Sequence, residues 1–327
     1  MYNKVKRIHF ELTDKCNAYC PQCVRTGADW LANVELTLDD VKQIIDEPEH
    51  LEWISFCGNY GEPIVAKECI DIIEWLAEVS PAEFRMHTNG SARNEDWWWD
   101  FCKRLHGVPI IVNFGIDGIT QTKHELYRRN TDLQKIFDNA ELLIGAGFEV
   151  EWDYLVFKHN QDDIETAKKM SDEKGFSKIN IISTERFWNK DTLEYDWKGE
   201  KYKLERSTHK PNKKQLMRIN NPVVNQINCF AQERQEVYID CRGYITPCCY
   251  LGMYLYSSQQ NQDGKFHSQQ ELIGIFRSMN LDRLKGNLNE VVQDPFFSWL
   301  RGKHLELQPK RCQAVCGTEI NRKLYNE

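Results

Sequence analysis

The chain of 327 residues is long enough to bury the core of one large α/β domain and of a smaller second one. Its formal net charge of −7 at pH 7 gives no general attraction to nucleic acid or to anionic lipid, so we expect neither as a partner. No long apolar run follows the start of the sequence, which predicts neither a signal peptide nor a membrane span and therefore a cytoplasmic protein.

The first feature in chain order is a cysteine-rich loop behind a short strand. Apolar residues alternate over residues 8–12, and Cys16, Cys20 and Cys23 follow with the spacing C-x3-C-x2-C. Cytoplasmic thiols are kept reduced, so the 12 cysteines of the chain indicate metal binding rather than disulfides. Three thiolates can ligate three irons of a [4Fe-4S] cluster and leave the fourth iron open to an exogenous ligand. Zinc, or a redox pair made by Cys20 and Cys23, is the alternative.

Beyond this loop, short apolar runs alternate with amphipathic helical patterns about six times. Such alternation indicates a parallel sheet with right-handed crossovers, which places ligands at the carboxyl ends of the strands. We therefore expect the functional residues directly after each strand. The predicted strands span residues 8–12, 51–56, 84–88, 110–116, 149–157 and 178–182, and the predicted helices span residues 66–79, 95–105, 133–144 and 162–173.

Polar turns stand at these strand ends. Glycine lets the backbone approach a ligand closely, and a carboxylate can bind an ammonium group. Each turn by itself also fits ordinary turn chemistry. The turns contain Gly61 and Glu62 after the second strand, Thr88 and Asn89 after the third, and Gly115, Asp117, Arg128 and Arg129 after the fourth.

The rest of the chain divides into a spacer and a second cysteine-rich region. Residues 188–225 have few periodic apolar positions, and we interpret them as a linker or as a loop that covers the active site. Further on, residues 237–240 and 244–247 flank a turn that contains Gly243, which predicts a β-hairpin.

The C-x3-C-x2-C loop resembles the signature of the radical S-adenosylmethionine (SAM) superfamily. The resemblance implies that Cys16, Cys20 and Cys23 hold a [4Fe-4S] cluster whose open iron binds SAM. In that family an electron from the cluster cleaves SAM to a 5′-deoxyadenosyl radical, while the protein positions and shields the reacting groups. An electron donor such as flavodoxin or ferredoxin is then an expected partner.

The same resemblance implies contacts to SAM from two of the turns. In the family a Gly-Gly-Glu turn binds the SAM amino group, which assigns that role to Gly61 and Glu62, with Tyr60 in place of the first glycine. The turn after the third strand contacts the SAM ribose or carboxylate, which assigns Thr88 and Asn89 to the site.

The turn after the fourth strand resembles the Ser-x-Asp-Gly segment and downstream Tyr-Arg of the peptide-modifying and dehydrogenating members. There the serine and an arginine bind SAM. Here Gly115 stands in place of the serine, so that hydroxyl contact is missing. Arg128 or its neighbour Arg129 would pair with the SAM carboxylate, because a guanidinium offers bidentate geometry. We assign Arg128, and the choice between the two stays open here.

The C-terminal cysteines resemble the auxiliary-cluster segments, named SPASM and twitch, that follow the barrel in some members of this superfamily. Cys229, Gly243 and Cys248 have the spacing of that pattern. Two complete extra clusters would need eight cysteines, whereas this region has six, so we expect one auxiliary [4Fe-4S] cluster. Structural zinc is the alternative at this site. The assigned ligands are Cys229, Cys248, Cys312 and Cys316, with Cys241 in reserve.

Two further cysteines, Cys57 and Cys249, are left without a role as ligands. Each fits an inert buried thiol, which is the commoner state of a free cysteine. Each is also a candidate hydrogen-atom donor to a substrate radical. We assign no catalytic residue beyond these two candidates.

Together these features predict an α/β protein, a partial (β/α)6 TIM-like barrel followed by a small cysteine-rich α+β auxiliary-cluster domain. We place the radical SAM core barrel at residues 1–187, the linker or covering loop at 188–225 and the SPASM/twitch-like domain at 226–327. Since the barrel begins near residue 5, we expect no leader-recognition domain ahead of it.

The predicted activity is hydrogen abstraction from a substrate held between the barrel and the auxiliary cluster. A peptide or protein residue ranks first as substrate, for maturation, crosslinking, oxidation or epimerisation. Small-molecule dehydrogenation by a member of the same superfamily is the alternative. A non-enzymatic iron–sulfur or zinc sensor is a further alternative, and it would bind no SAM.

Overall fold

The computed structural model describes residues 4–26, 28, 31–184, 186–187, 190–209, 227–258, 274, 276–278, 280–307, 312 and 316. The strands are β1 (Arg7–Phe10), β2 (Trp53–Phe56), β3 (Glu83–Thr88), β4 (Ile110–Gly115), β5 (Glu149–Val156), β6 (Lys178–Ser183), β7 (Thr192–Trp197), β8 (Glu200–Glu205), β9 (Glu236–Ile239) and β10 (Ile245–Thr246).

The helices lie between and after these strands. They are α1 (Leu38–Ile44), α2 (Cys69–Val79), α3 (Glu95–Arg104), α4 (Gln121–His124), α5 (Leu133–Gly145), α6 (Ile164–Glu173), α7 (Phe230–Glu233), α8 (Cys249–Ser258), α9 (Leu288–Gln293) and α10 (Pro295–Leu307). Short 3₁₀ helices occupy Pro48–His50, Pro63–Val65, Gln161–Asp163 and Leu281–Leu284. None of the helices in the described part of the chain is both long enough and apolar enough to cross a membrane.

Within the described residues, one sheet has the strand order β10-β9-β1-β2-β3-β4-β5-β6. Strands β1 to β6 pair in parallel with their neighbours, as βαβ crossovers require. The predicted α/β fold class with a partial barrel is therefore confirmed, and the predicted strands match the observed ones within a few residues. All the turns of the predicted SAM site consequently lie at one end of the sheet.

The helix-facing side of the sheet forms the main core. Successive side chains of a strand point to opposite faces, so every second residue of β1 to β5 meets the helices. These residues have almost no contact with solvent, and they pack in one cluster with the apolar sides of the helices. They include Ile8, Phe10, Ile54, Phe56, Phe84, Met86, Val112, Phe114, Val150 and Trp152.

Strands β7 and β8 were not predicted from the sequence, where residues 188–225 were interpreted as a linker or covering loop. They form an antiparallel hairpin whose tip, Lys198 and Gly199, has positive φ values of 50° and 84°. Two such residues make the turn that matches the twist of paired strands. The hairpin packs on the barrel through Leu204 and Tyr195, in a small second core that also contains Tyr127. Residues 188, 189 and 210–225 of the predicted spacer lie outside the described residues.

The C-terminal region adds two strands to the barrel sheet. The predicted hairpin is confirmed, since Ile245 of β10 pairs in antiparallel register with Ile239 of β9. Strand β9 in turn pairs in parallel with β1, so Val237 lies beside Ile8. The cysteine-rich region is therefore joined to the barrel directly at its first strand.

Candidate active site

The cysteines of the N-terminal loop follow β1, at the carboxyl end of the sheet. Cys16, Cys20 and Cys23 are all partly buried. The Sγ of Cys16 accepts hydrogen bonds from the Ala18 amide (3.4 Å) and from Asn89 Nδ2 (3.8 Å). Burial raises the pKa of Cys20 to about 12. A thiol with so high a pKa is protonated at neutral pH and would release its proton on binding metal.

Glu62 lies beside this loop, where it links the ends of β2 and β3. Its buried carboxylate accepts hydrogen bonds from Thr88 Oγ1 (2.6 Å, to Oε1) and from the Asn89 amide (2.7 Å, to Oε2). Its own amide donates to the Lys15 carbonyl (2.8 Å) in the cysteine loop. Burial raises the pKa of Glu62 to about 7, although these hydrogen bonds favour the charged form. An ammonium group bound here would stabilise a desolvated carboxylate of fixed orientation.

The turn before Glu62 is packed so closely that two of its positions require glycine. A Cβ at Gly61 would stand 1.5 Å from the Thr13 carbonyl oxygen, and one at Gly58 would stand 2.6 Å from Glu11 Oε1. Glycine therefore lets the turn approach the cysteine loop and β1. The structure thus brings together four residues of the predicted SAM site next to Cys16, namely Gly61, Glu62, Thr88 and Asn89.

Arg128 points to this end of the sheet. Its Nε donates to Asp117 Oδ2 (2.6 Å), and Asp117 is fully buried. Its Nη2 would lie 2.5 Å from a Cβ at Gly115, so the guanidinium fills the space that a serine side chain would need there. The positive charge of Arg128 also lowers the pKa of Cys20, although burial outweighs it. Arg128 is therefore held between β4 and the cysteine loop.

Arg129 is directed elsewhere, although it is the next residue. Its Nη2 donates to the Tyr195 hydroxyl (2.8 Å), and its guanidinium lies 3.8 Å from the centre of the Tyr202 ring. Both tyrosines belong to the β7–β8 hairpin. Arg129 therefore fastens the hairpin to the barrel through hydrogen bonding and cation–π contact.

The inner face of the sheet is polar, in contrast to the packed apolar interior of closed TIM barrels. Arg85 Nη1 lies 3.1 Å from Glu151 Oε2, and His87 Nδ1 lies 3.2 Å from Asp153 Oδ2. Despite burial, these contacts hold the pKa values of Glu151 and Asp153 below their ordinary range, so both carboxylates are charged at neutral pH. The bridging residues are Asn113 and Asn180, whose Nδ2 atoms donate to both carboxylates at 2.8 to 3.0 Å.

Four cysteines of the C-terminal region lie near one another and are buried. The thiols of Cys229 and Cys316 form a hydrogen bond, which together with burial raises the pKa of Cys316. Cys312 raises the pKa of Cys316 further. Burial, with smaller contributions from Cys249 and Cys229, raises the pKa of Cys248. The reserve residue, Cys241, instead acts electrostatically on Tyr60, on the side of the glycine turn. Electrostatic interactions thus connect the four cysteines of the predicted ligand set.

The donor chemistry of both cysteine groups fits iron–sulfur clusters, which proteins hold through thiolates. In a four-iron cluster each thiolate ligates a separate iron, so the thiols surround the cluster rather than one point. The described ranges contain no group of three or more His, Cys, Asp or Glu residues arranged to hold a single metal ion.

The structure adds two charged residues that the sequence analysis did not include. Glu11 is buried under the glycine turn, and Arg186 acts electrostatically on both Cys20 and Cys57. Burial raises the pKa of Cys57 to about 12, so this thiol stays protonated. The signal for Glu11 was a carboxylate inside the apolar alternation of the first strand. Arg186 gave no signal, because it follows β6 in a stretch without a motif.

The chain was compared with protein-family models. The model of the Radical SAM superfamily matches residues 10–170. Among curated proteins, a GTP 3',8-cyclase of Rhodopirellula baltica is 24% identical over 58% of this chain and 55% of its own length. An AdoMet-dependent heme synthase of Methanosarcina barkeri is 23% identical over 54% of this chain and 49% of its own. The chain spans about half the length of these curated relatives.

Solved structures with a similar fold match most of the chain. Native anSMEcpe with bound AdoMet has a TM-score of 0.55 at 14% identity, covering 98% of this chain and 94% of that one. Streptococcus suis SuiB bound to S-adenosylmethionine has a TM-score of 0.54 at 12% identity, covering 87% and 71%. The likeness therefore includes the C-terminal region as well as the barrel.

Proposed function

We propose that this chain, whose residues 10–170 belong to the radical SAM superfamily, is an enzyme that uses SAM and a [4Fe-4S] cluster to abstract hydrogen from a substrate. When bound, the cluster would supply the electron that cleaves SAM to a 5′-deoxyadenosyl radical. The observation that carries the proposal is the direct connection between the two predicted sites. Asn89 contacts Cys16 through Nδ2 and Glu62 through its amide.

The chain's own residues would divide the binding of SAM among them. Cys16, Cys20 and Cys23 would hold the cluster at the mouth of the barrel. Glu62, oriented by Thr88, Asn89 and the close turn at Gly61, would accept the SAM amino group. Arg128, rather than Arg129, would pair with the SAM carboxylate, because Arg129 is engaged by the hairpin. The buried position of these groups would exclude water from the reacting bond.

For the substrate we favour a peptide or protein residue. The support is that SuiB has been solved bound to precursor peptide SuiA, and anSMEcpe with Kp18Cys peptide. The charged inner face of the barrel, with Asp153 beside His87, favours a substrate that presents a polar group. A small-molecule reaction is the second candidate, favoured by the names of the curated relatives, a cyclase of GTP and a heme synthase.

For the C-terminal region, residues 226–327, we propose one auxiliary [4Fe-4S] cluster in a SPASM/twitch-like domain. The support is the grouping of Cys229, Cys248, Cys312 and Cys316 and their burial. Such a cluster would accept an electron from the substrate or anchor it. Cys249, whose neighbour is a proposed ligand, and Cys57 remain candidate hydrogen donors.

Reduction by a flavodoxin or ferredoxin, a cytoplasmic location and the absence of nucleic-acid and membrane partners stay predictions from the sequence. The electron donor follows from the proposed chemistry, since the cluster must be reduced before it can cleave SAM. Release of 5′-deoxyadenosine on adding reduced flavodoxin and SAM to the reconstituted chain would support that donor.

The experiment that tests the function is a measurement of iron, sulfide and zinc per chain after anaerobic reconstitution, together with 5′-deoxyadenosine release on adding SAM and dithionite. We expect about eight irons per chain and deoxyadenosine. Four irons per chain together with zinc would still support the radical chemistry, and they would indicate a structural zinc site in the C-terminal region. A chain with no iron and no deoxyadenosine would contradict the proposal and favour the zinc-protein alternative.

A further inference from the structure

A buried carboxylate, that of Glu11, connects the proposed SAM site to the C-terminal region. Glu11 directly follows β1, which lies between β2 and β9 in the sheet. Glu11 is buried, with only 1% of its surface exposed. Its amide donates to the Ile239 carbonyl (2.9 Å), so its backbone continues the pairing with β9. The carboxylate thus stands between the glycine turn and the C-terminal strands.

The two oxygens of Glu11 bind partners on opposite sides. Oε1 accepts hydrogen bonds from the amides of Tyr60 (2.5 Å) and Gly61 (3.0 Å). Oε2 accepts one from the hydroxyl of Tyr238 in β9. Burial raises the pKa of Glu11 to about 7, while these three hydrogen bonds favour its charged form. Hydrogen bonds to a charged carboxylate are stronger than those between neutral groups, so Glu11 links the turn to β9.

Two further hydrogen bonds run between the same turn and the C-terminal region. Asn59 Nδ2 donates to the Tyr238 hydroxyl oxygen (3.2 Å) and to the Cys249 carbonyl (3.0 Å). The Tyr60 hydroxyl donates to the Met253 carbonyl (3.4 Å) in α8. The turn is therefore held by the segment that follows Cys248, one of the proposed auxiliary ligands.

On its other side the turn continues into Glu62. The conformation of Gly61 sets where the Glu62 carboxylate points, and that carboxylate binds Thr88 and the Asn89 amide. If the turn were displaced, Glu62 would move with it and these two hydrogen bonds would break. The orientation of the SAM-binding carboxylate thus depends on the amides that Glu11 holds.

We propose that Glu11 is a positioning residue for SAM binding. By holding the Tyr60 and Gly61 amides it orients Glu62, and through Tyr238 it makes that orientation depend on the C-terminal region. The inference rests on the proposed function, in which Glu62 binds the SAM amino group. Structural damage at the cysteine region would then weaken SAM binding in the barrel, without any contact between that region and SAM.

The test compares Glu11→Gln, Tyr238→Phe and the double variant as full chains with reconstituted clusters and wild-type iron content. The Kd for SAM is measured by equilibrium dialysis without reductant. We expect Kd to rise about tenfold for Glu11→Gln, which loses the charge, and about fivefold for Tyr238→Phe. The Kd of the double variant should rise by less than the product of the two single effects, because both substitutions break the same Glu11–Tyr238 hydrogen bond.

Tyr154→Phe is the matched control. Tyr154 is as buried as Tyr238, and its hydroxyl donates to a backbone carbonyl, that of Asn160 (2.8 Å), away from the turn. The same atom is removed from an equally buried tyrosine, so any general loss of stability is shared. We expect the control to retain the wild-type Kd for SAM.

A second readout needs no SAM, namely hydrogen–deuterium exchange at the Tyr60 and Gly61 amides. Exchange should be faster in Glu11→Gln and Tyr238→Phe than in the wild-type chain and the Tyr154→Phe control. Wild-type affinity together with wild-type exchange in Glu11→Gln would overturn the inference. If Glu11→Gln does not fold, the same two measurements are made on Tyr238→Phe. Wild-type affinity and wild-type exchange in that variant would then overturn the inference.

Failure of the proposed function would look different. In that case the wild-type chain itself would bind no SAM, whatever residue stands at position 11. Amide exchange would still decide whether Glu11 holds the turn, because that measurement does not depend on SAM.

Discussion

The two cysteine groups differ in how the chain surrounds them. Cys16, Cys20 and Cys23 come from one loop and are partly open at the carboxyl end of the barrel sheet. The C-terminal group is drawn from separate segments, and its members are between 3% and 7% exposed, namely Cys229, Cys248, Cys312 and Cys316. The same kind of donor is therefore placed once in an open site and once in a closed one.

The difference indicates different tasks, as it does for metal sites in general. Sites that do chemistry keep a position open for an exogenous ligand, whereas structural sites are closed by the protein. At the open group, Asn89 joins Cys16 to Glu62, so a ligand on an iron would meet a carboxylate of fixed orientation. At the closed group the polar partners of the thiols include each other. We therefore expect SAM chemistry at the first site and electron transfer or anchoring at the second.

The largest expected effect comes from removing one thiol of the open group. Cys20→Ala should abolish 5′-deoxyadenosine formation, because the site-differentiated cluster would lose one of its three ligands. Iron should fall from about eight to about four per chain, since the C-terminal cluster stays. Cys102→Ala, which removes a buried thiol from α3, is the control and should keep both values. Undiminished deoxyadenosine in Cys20→Ala would contradict the assignment.

The corresponding change in the closed group should separate the two sites. Cys248→Ala should also lose about four irons, yet it should still cleave SAM to 5′-deoxyadenosine, at a lower rate. The rate falls because the segment that follows Cys248 helps to hold the glycine turn. Iron content and deoxyadenosine are measured on the same preparation. Loss of all deoxyadenosine with only half of the iron lost would contradict the division of tasks.

A smaller effect is expected at Glu62, for which we propose a contact to SAM but none to the cluster. Glu62→Ala should raise the Kd for SAM about thirtyfold with iron unchanged, because a hydrogen bond to a charged group is worth about 2 kcal/mol. Glu62→Gln keeps the size and one acceptor, so its Kd should lie between those of the wild type and Glu62→Ala. An unchanged Kd in Glu62→Ala would remove this residue from the SAM site.

The sequence was sufficient to predict which residues meet at the open end of the sheet, because the signals for them are local. Strand alternation and turn residues placed Glu62, Thr88 and Asn89 at strand ends, and parallel pairing brings such ends together. The connection of Glu11 to Tyr238 was not predictable, since it joins positions 227 residues apart through a sheet pairing that no local pattern shows. The closed site likewise includes a contact between distant positions, since the Asn228 amide donates to the Cys316 carbonyl (2.8 Å).

The hairpin was missed for a different physical reason. Strands β7 and β8 carry many charges and bury few side chains, so their alternation is weak, and the decisive signal is the left-handed pair Lys198 and Gly199. The hairpin also gives two neighbouring arginines different surroundings. Adjacent residues share their local sequence, so only tertiary contacts could tell that Arg129 meets Tyr195 while Arg128 meets Asp117.

The choice between these arginines gives a smaller expected effect on SAM binding than the change at Glu62. Arg128→Lys keeps a positive charge but loses the planar fork, so its Kd for SAM should rise about tenfold. Arg129→Lys is the matched control, and it should lower the free energy of unfolding by loosening the hairpin while the Kd stays near that of the wild type. Equal Kd changes in both variants would show that the hairpin, and not a carboxylate contact, controls SAM binding. A change in Arg129→Lys alone would reverse the assignment.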